Sequence, residues 1–220
     1  MSHIIAIDGP AGAGKSTIAA RVAQALGYQL IDTGAIYRTV AHKVQQRGVD
    51  VHDAQACAQV AQGLEFTFAF EDGVNRITCD GQPVGQEIRT PEAGQAASIV
   101  SAHGPVRAAL LELQRSIGRA RPSVLEGRDI GTVVFPEAAV KIFLTASPQE
   151  RATRRFEQMK AAGDTSSTYA QILAEIHTRD ERDSTRELAP LKPAPDAHHV
   201  DTTGRSIDEI VTEIVAHAQC

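Results

Sequence analysis

Nine residues near the N-terminus carry the clearest chemical signal: Gly9, Pro10, Ala11, Gly12, Ala13, Gly14, Lys15, Ser16 and Thr17. From Gly9 to Ser16 they fit GxxxxGK[ST], the pattern of a loop that wraps phosphates. The residue types suit that task. Glycines let successive backbone N–H groups turn inward with no Cβ in the way. A helix starting at the end of the loop adds the positive end of its dipole. Lys15 supplies a point charge for the β- and γ-phosphates, and the Ser16 hydroxyl is a direct ligand for Mg2+. The flanks agree with this reading. An apolar, β-branched run from His3 to Asp8 enters the loop, and Ile18, Ala19, Val22, Ala23 and Leu26 leave it at helical spacing until Gly27. The expectation is a nucleoside triphosphate bound with magnesium.

Arginine is the second signal. The 220-residue chain has 17 Arg and 5 Lys, yet its net charge is −5. An acidic total excludes a general nucleic-acid coat or a binder of anionic membranes. The distribution says more than the sum. Arg179, Arg182, Asp183 and Arg186 fall at i, i+3, i+4 and i+7, so they share one helix face, from which Asp180 and Glu181 point away. Arg151, Arg154 and Arg155 repeat the pattern on the preceding helix. Such faces suit a polyphosphate. The small, polar stretch Ala161 to Ser167 between them reads as the tip of a lid that excludes water.

Other classes fall away. No stretch approaches the roughly 18 apolar residues of a membrane span, and no basic leader with a long apolar run precedes Ile4, so no secretory signal is expected. Cys57, Cys79 and Cys220 are odd in number and lack ligand spacing, which points to reduced thiols, a cytoplasmic setting and no zinc. His198 and His199 have no partner at ligand spacing. Asn75 is the only Asn, so the base-reading NKxD of switch GTPases is missing. No apolar strand ends in the Asp-Glu pair of motor ATPases. Small-molecule phosphoryl transfer is what remains.

The elements that must position these residues follow from periodicity. Short apolar strands are expected at about 3–8, 28–32, 123–126, 140–145 and 197–201, with helices over Ser16 to Leu26, Ile36 to Arg47, Glu92 to Ser101, Val106 to Ala120, Ser147 to Lys160 and Thr168 to Arg186. Ser206 and Glu209 form a capping box for a last helix. Leu64, Phe66, Phe68 and Phe70 alternate with Glu65, Thr67 and Ala69, and turns at Asp72-Gly73 and Asp80-Gly81 complete a small antiparallel meander at about 64–88. The prolines at 190, 193 and 195 mark an extended linker. Asp32 and Glu126 each end an apolar strand where ligands gather in parallel sheets, so either could hold a Mg2+-bound water or order the loop beside it.

Three segments then carry a resemblance: Ile31 to Arg38 (IDTGAIYR), Gly127 to Phe135 (GRDIGTVVF) and Arg179 to Arg186 (RDERDSTR). Together they resemble the bacterial cytidylate kinases, a family of P-loop nucleoside monophosphate kinases, and the meander resembles that family's insert. The resemblance covers nearly the whole chain. It implies a three-layer α/β P-loop kinase core with a five-stranded parallel sheet. It also implies an acceptor-nucleotide lobe inserted at 33–121, which holds the meander, and lid helices over 150–186. It implies phosphorylation of CMP and dCMP by ATP with Mg2+, in pyrimidine nucleotide metabolism.

By position, the resemblance puts Tyr37 and Arg38 on the acceptor, with Arg38 on its phosphate, and Thr33 where the family often has Ser. Ser98, Arg107 and Asp129 are the implied cytosine readers, Arg128 and Arg186 clamps on the acceptor phosphate, Arg179 and Asp183 ribose contacts, and Arg182 a bridge to the transferring phosphate. Arg154 and Arg155 are expected on ATP, and Lys15, Arg128, Arg182 and Arg186 to serve catalysis. A monomer is expected, because no long apolar surface stripe is left over. Two alternatives stay open at this point: a UMP, dTMP or shikimate-type acceptor on the same fold, and a non-catalytic ATP sensor. Replacing Lys15 by Ala is expected to lower kcat by at least about a hundredfold, read as ADP release with CMP and Mg2+; turnover near wild type would remove Lys15 from the chemistry.

Overall fold

The computed structural model describes residues 3–71, 74–164 and 166–219. Strand β1 (Ile4–Asp8) runs into the glycine loop and helix α1 (Lys15–Leu26), followed by β2 (Gln29–Asp32) and α2 (Thr33–Gln46). Then come α3 (Ala54–Gln62), the short strands β3 (Phe66–Glu71), β4 (Val74–Cys79) and β5 (Gln82–Pro83), α4 (Pro91–Val100) and α5 (Gly104–Ala120). The chain returns through β6 (Ser123–Gly127), a π-helical turn (Ile130–Val134) and β7 (Val140–Thr145). It ends with α6 (Pro148–Ala161), α7 (Tyr169–Thr185), β8 (His198–Asp201) and α8 (Ile207–Gln219).

The main sheet has the order β2-β6-β1-β7-β8, all parallel. Both faces are covered, which explains why the strands read as continuous apolar runs. In β1, Ile4 and Ala6 pack on one side with residues of α2, α3, α4 and α5, while Ile5 and Ile7 pack on the other with α1 and α8. A separate small cluster, Ala152, Ile172 and Ile176, joins α6 to α7. The three short strands form an antiparallel sheet in the order β3-β4-β5. All five expected parallel strands are present, within about a residue of the expected bounds.

Local signals set the ends of the elements. Gly27, with φ +67°, closes α1 in the left-handed region and donates to the carbonyls of Ala23 and Gln24. The Ser206–Glu209 capping box forms in full: Glu209 N donates to Ser206 Oγ at 3.3 Å, and Ser206 N donates to Glu209 Oε2 at 2.9 Å. Helix α3 and the π turn were not expected, nor was a short 3-10 turn at Gln86–Ile88. Helix α3 spans only nine residues, and its buried face is built from the small side chains Cys57, Ala58, Val60 and Ala61; Asp53 caps it by accepting from Gln55 N and Ala56 N. The π turn has no residue signature of its own; besides its backbone bonds, it is held by side chains from elsewhere in the chain. The expected turn at Asp72-Gly73, with Cys220, lies outside the described residues.

Helix α5 passes close over the segment after β6. A Cβ on Gly118 would stand 2.6 Å from Cζ of Phe135, whose side chain is fully buried. Gly118→Ala should therefore destabilise by about 1–3 kcal/mol through overpacking. The check is the urea midpoint at unchanged slope; an unchanged midpoint would mean that the ring moves aside freely.

Candidate active site

The C-terminal ends of β2 and β6, with the loop that follows β1, line a cleft of about 1440 Å3. Its described lining carries twelve Arg or Lys against seven Asp or Glu, although the whole chain has net charge −5. The cleft is therefore locally positive, as the arginine faces imply. Of the expected site residues, all but Gly9, Pro10 and Ala13 line it. Those three build the loop from behind. A Cβ on Gly9 (φ +151°) would lie 2.1 Å from the Leu144 carbonyl oxygen, and Ala13 is buried in the core. Gly12 (φ +79°) and Gly14 (φ +87°) take left-handed backbone conformations, and Gly14 caps α1.

Lys15 is buried, and its ammonium donates to Pro10 O at 2.7 Å. Burial and the Arg128 charge hold its pKa well below the ordinary lysine value, against the pull of Glu126. Ser16 Oγ donates to Glu126 Oε2 at 2.9 Å. Burial, with the Asp32 charge, pushes the Glu126 carboxyl up to about 7, while Lys15, Ser16 and Arg128 pull it back. Its other oxygen, Oε1, is buried without a hydrogen-bond partner among the described residues. This donor set fits Mg2+, which takes oxygen ligands and keeps several waters. Asp32 has both oxygens engaged: Oδ1 accepts from Ala35 N at 2.9 Å, and Oδ2 from Arg38 Nη2 at 2.7 Å.

The arginines gather around two buried carboxylates. Asp183 Oδ2 accepts from Arg128 Nε at 3.0 Å and lies 3.9 Å from Arg179 Nε. Burial raises the Asp183 pKa, but Arg128 and Arg179 outweigh it and hold the carboxyl below its usual range. Arg179, buried beside Arg128, is itself lowered to about 10. Asp129 pairs with Arg107, which also donates to Ser101 O at 3.1 Å and lies over the Tyr37 ring. Arg186 Nη2 approaches Asp129 Oδ1 at 3.8 Å. Buried N–H groups of Arg38, Arg179 and Arg186 have no hydrogen-bond partner among the described residues, which suits an anionic ligand.

Some groupings differ from those expected. Ser98 lies with the lid-side residues: its Oγ accepts from Arg182 Nη1 at 3.2 Å and is 3.5 Å from Asp183 Oδ1, whereas Arg107 meets Asp129. Thr33 Oγ1 donates to Glu126 O at 2.7 Å, so its proton is spent on the strand end. Arg154 reaches Thr202 O at 2.8 Å and Glu150 at 3.0 Å, and Arg155 pairs with Glu175 across α6 and α7. Asp180, off the Arg face of its own helix, meets Arg151 of α6 at 3.0 Å. Sequence reasoning missed the role of Arg151: almost fully buried, it also donates to Ala11 O and Ala146 O, tying the loop to both helices. It missed Asp8 as well, although Asp8 ends an apolar strand just as Asp32 and Glu126 do. Its two oxygens accept from Ile130 N and Gly131 N, both at 2.8 Å.

The comparisons with known proteins decide the family. The family model described as Cytidylate kinase matches residues 5–220. The chain belongs to the cytidylate kinase family. A cytidylate kinase of Saccharophagus degradans is 46% identical over 219 residues, covering 100% of this chain and 98% of the relative. One of Pseudomonas aeruginosa is 47% identical, covering 98% and 95%, and one of Geobacter sp. is 48% identical, covering 94% and 89%. The chain is thus a nucleotide-binding P-loop kinase, a phosphotransferase of the nucleoside monophosphate kinase type.

Asp8 gives a pH prediction. Burial lifts its carboxyl to about 6; the Ile130 and Gly131 N–H groups pull it back, Asp129 pushes it up and Lys15 pulls it down. A folded pKa above the unfolded 3.8 means that its contribution to stability is fullest below pH 3.8 and is lost as pH rises through 6. The unfolding free energy of wild type minus that of Asp8→Asn should fall by about 2–3 kcal/mol from pH 4 to pH 7. Urea titrations at both pH values test this; a flat or rising difference contradicts it.

Proposed function

We propose that the protein transfers the γ-phosphoryl group of ATP to CMP and dCMP, giving ADP with CDP or dCDP, by direct in-line displacement in pyrimidine nucleotide metabolism. The observation that carries this reading is the Arg107–Asp129 pair, buried in the same cleft as Lys15. Cytosine offers an exocyclic amine to a carboxylate, while its O2 and N3 accept from a guanidinium. Uracil has an oxygen where that amine stands, so it would face the carboxylate with no proton to donate. Tyr37 and Thr33 wall the acceptor side, and Ser98 of α4, which meets Arg182 and Asp183, stands toward the ribose rather than the base.

Both substrates are polyanions, and the acceptor phosphate is already ionised, so no strong general base is required. Catalysis is positioning with cationic stabilisation of the charge spread over the transferring group. The N–H groups of Gly9 to Thr17 and Lys15 hold the ATP phosphates, with Arg154 and Arg155 closing over that side. Arg38, Arg128 and Arg186 clamp the acceptor phosphate, Arg179 and Asp183 take the ribose, and Arg182 bridges toward the group in transit. Mg2+ would be held by Ser16 directly and through water by Glu126, whose free oxygen supports it better than the fully engaged Asp32. When bound, the ion neutralises phosphate charge. Lys15 would leave Pro10 O for the phosphates as ATP enters.

In this reading 33–121 is the acceptor lobe and 150–186 the lid of one domain, working as a monomer. A cytoplasmic setting is supported by the buried free thiols Cys57 and Cys79. Among the described residues no helix is long and apolar enough to cross a membrane.

A coupled ADP-release assay over CMP, dCMP, UMP and dTMP tests the acceptor. CMP and dCMP should be preferred, and Asp129→Ala should lower kcat/KM for CMP by about a hundredfold or more while changing the ATP value much less. Preference for UMP or dTMP, or equal losses for both nucleotides, would reject the base-reading role.

A further inference from the structure

The proposed reaction uses Arg128 and Asp129 but leaves open what holds them. They lie between β6 and the π turn Ile130–Val134. Such turns are uncommon and gather at functional sites; this one closes backbone bonds from Val134 N to Asp129 O at 3.2 Å and from Phe135 N to Ile130 O at 2.7 Å. Here both ends are held by side chains from elsewhere. At the N-terminal end each oxygen of Asp8 accepts one N–H, from Ile130 and from Gly131, at 2.8 Å. At the C-terminal end Arg115 of α5 donates from Nε to Val134 O at 3.0 Å and from Nη2 to Val133 O at 3.2 Å. The stem of Lys141, itself fixed by Asp196 at 2.7 Å, fills the space beside Gly131, where a Cβ would meet it at 3.3 Å. The support of Asp8 is equally firm, because the next residue, Gly9, is packed against the Leu144 carbonyl.

We propose that Asp8 is a positioning residue for the acceptor: its two carboxylate oxygens, fixed at the entry of the phosphate loop, set the Ile130–Val134 turn and so aim Arg128 and Asp129 at the acceptor nucleotide, with Arg115 securing the far end. The proposal rests on the acceptor reading above. Asp8 touches no substrate; it acts through the turn. An asparagine there would accept from one N–H and oppose the other with its own amide hydrogens. The chain keeps a carboxylate although burial makes the charged form costly, with a pKa near 6. That choice is explained by the need for two acceptors rather than by packing.

The test compares wild type, Asp8→Asn and Arg115→Gln, using whichever of CMP, dCMP, UMP or dTMP wild type phosphorylates fastest. A wrong acceptor identity then shows in wild type alone and leaves the Asp8 comparison intact. Asp8→Asn should lose roughly 10- to 100-fold in kcat/KM for the acceptor. Its affinity for MgATP without acceptor should stay within about twofold, because the phosphate loop keeps its own supports. Amide exchange should quicken over 127–135 and stay unchanged over 9–17. Arg115→Gln should give the same pattern with a smaller loss. A folded Asp8→Asn with acceptor kcat/KM near wild type would overturn the proposal, as would an equal loss of MgATP affinity. If Asp8→Asn does not fold, Arg115→Gln decides by the same criteria. If wild type phosphorylates none of the four, the exchange pattern decides.

Discussion

Like charges packed side by side out of water govern the design of this cleft, and Asp183 is where the repulsion is chiefly offset. Arg128 and Arg179 converge on its carboxylate, which is only 3% exposed, and Ser98 and Arg182 complete the group from α4 and α7. The offset is partial. Arg179 still has its pKa lowered to about 10, and cations outnumber carboxylates along the cleft wall. A polyanion entering here therefore meets guanidinium groups already oriented and partly stripped of water, with buried N–H groups lacking partners among the described residues. Removing one carboxylate from such a group leaves buried cations uncompensated, which costs more than an exposed ion pair contributes.

Three carboxylates at the ends of adjacent strands divide the rest of the work. Asp32 on β2 caps α2 and orients Arg38; Glu126 on β6 meets Ser16; Asp8 on β1 holds the π turn. A parallel sheet places these ends side by side, so residues far apart in sequence become neighbours at one rim. The same geometry explains why β1 is apolar from Ile4 to Ile7. It pairs with β6 and β7 and is covered on both faces.

The parts legible in the sequence were those with local causes. A strand buried on both faces is a short apolar run, a phosphate loop needs its glycines and lysine at fixed offsets, and a helix face follows from spacing of three and four. Helix α3 escaped because it is only nine residues long and buries small side chains, although Asp53 was an available start signal. The π turn escaped because its own backbone bonds leave no residue signature, and the side chains that hold its two ends, Asp8 and Arg115, stand elsewhere in the sequence. Spacing also showed that Asp180 lies off the arginine face of its helix. It could not show that Arg151 of another helix waits there.

By itself the sequence determined the apolar strands, the loop that begins at Gly9 and the arginine-lined helix, since each depends on residues within one short stretch, and the family, since its three segments are each contiguous. The tertiary structure alone decided which charge meets which. Ser16 and Glu126 are 110 residues apart, Ser98 and Asp183 are 85 apart, and Arg128 and Asp183 are 55 apart. Partnership among buried charges depends on distance and desolvation in the folded chain, and several arrangements of the same arginines and aspartates satisfy one spacing pattern. Only the packing of α4, α5 and α7 around the strand ends selects one of them.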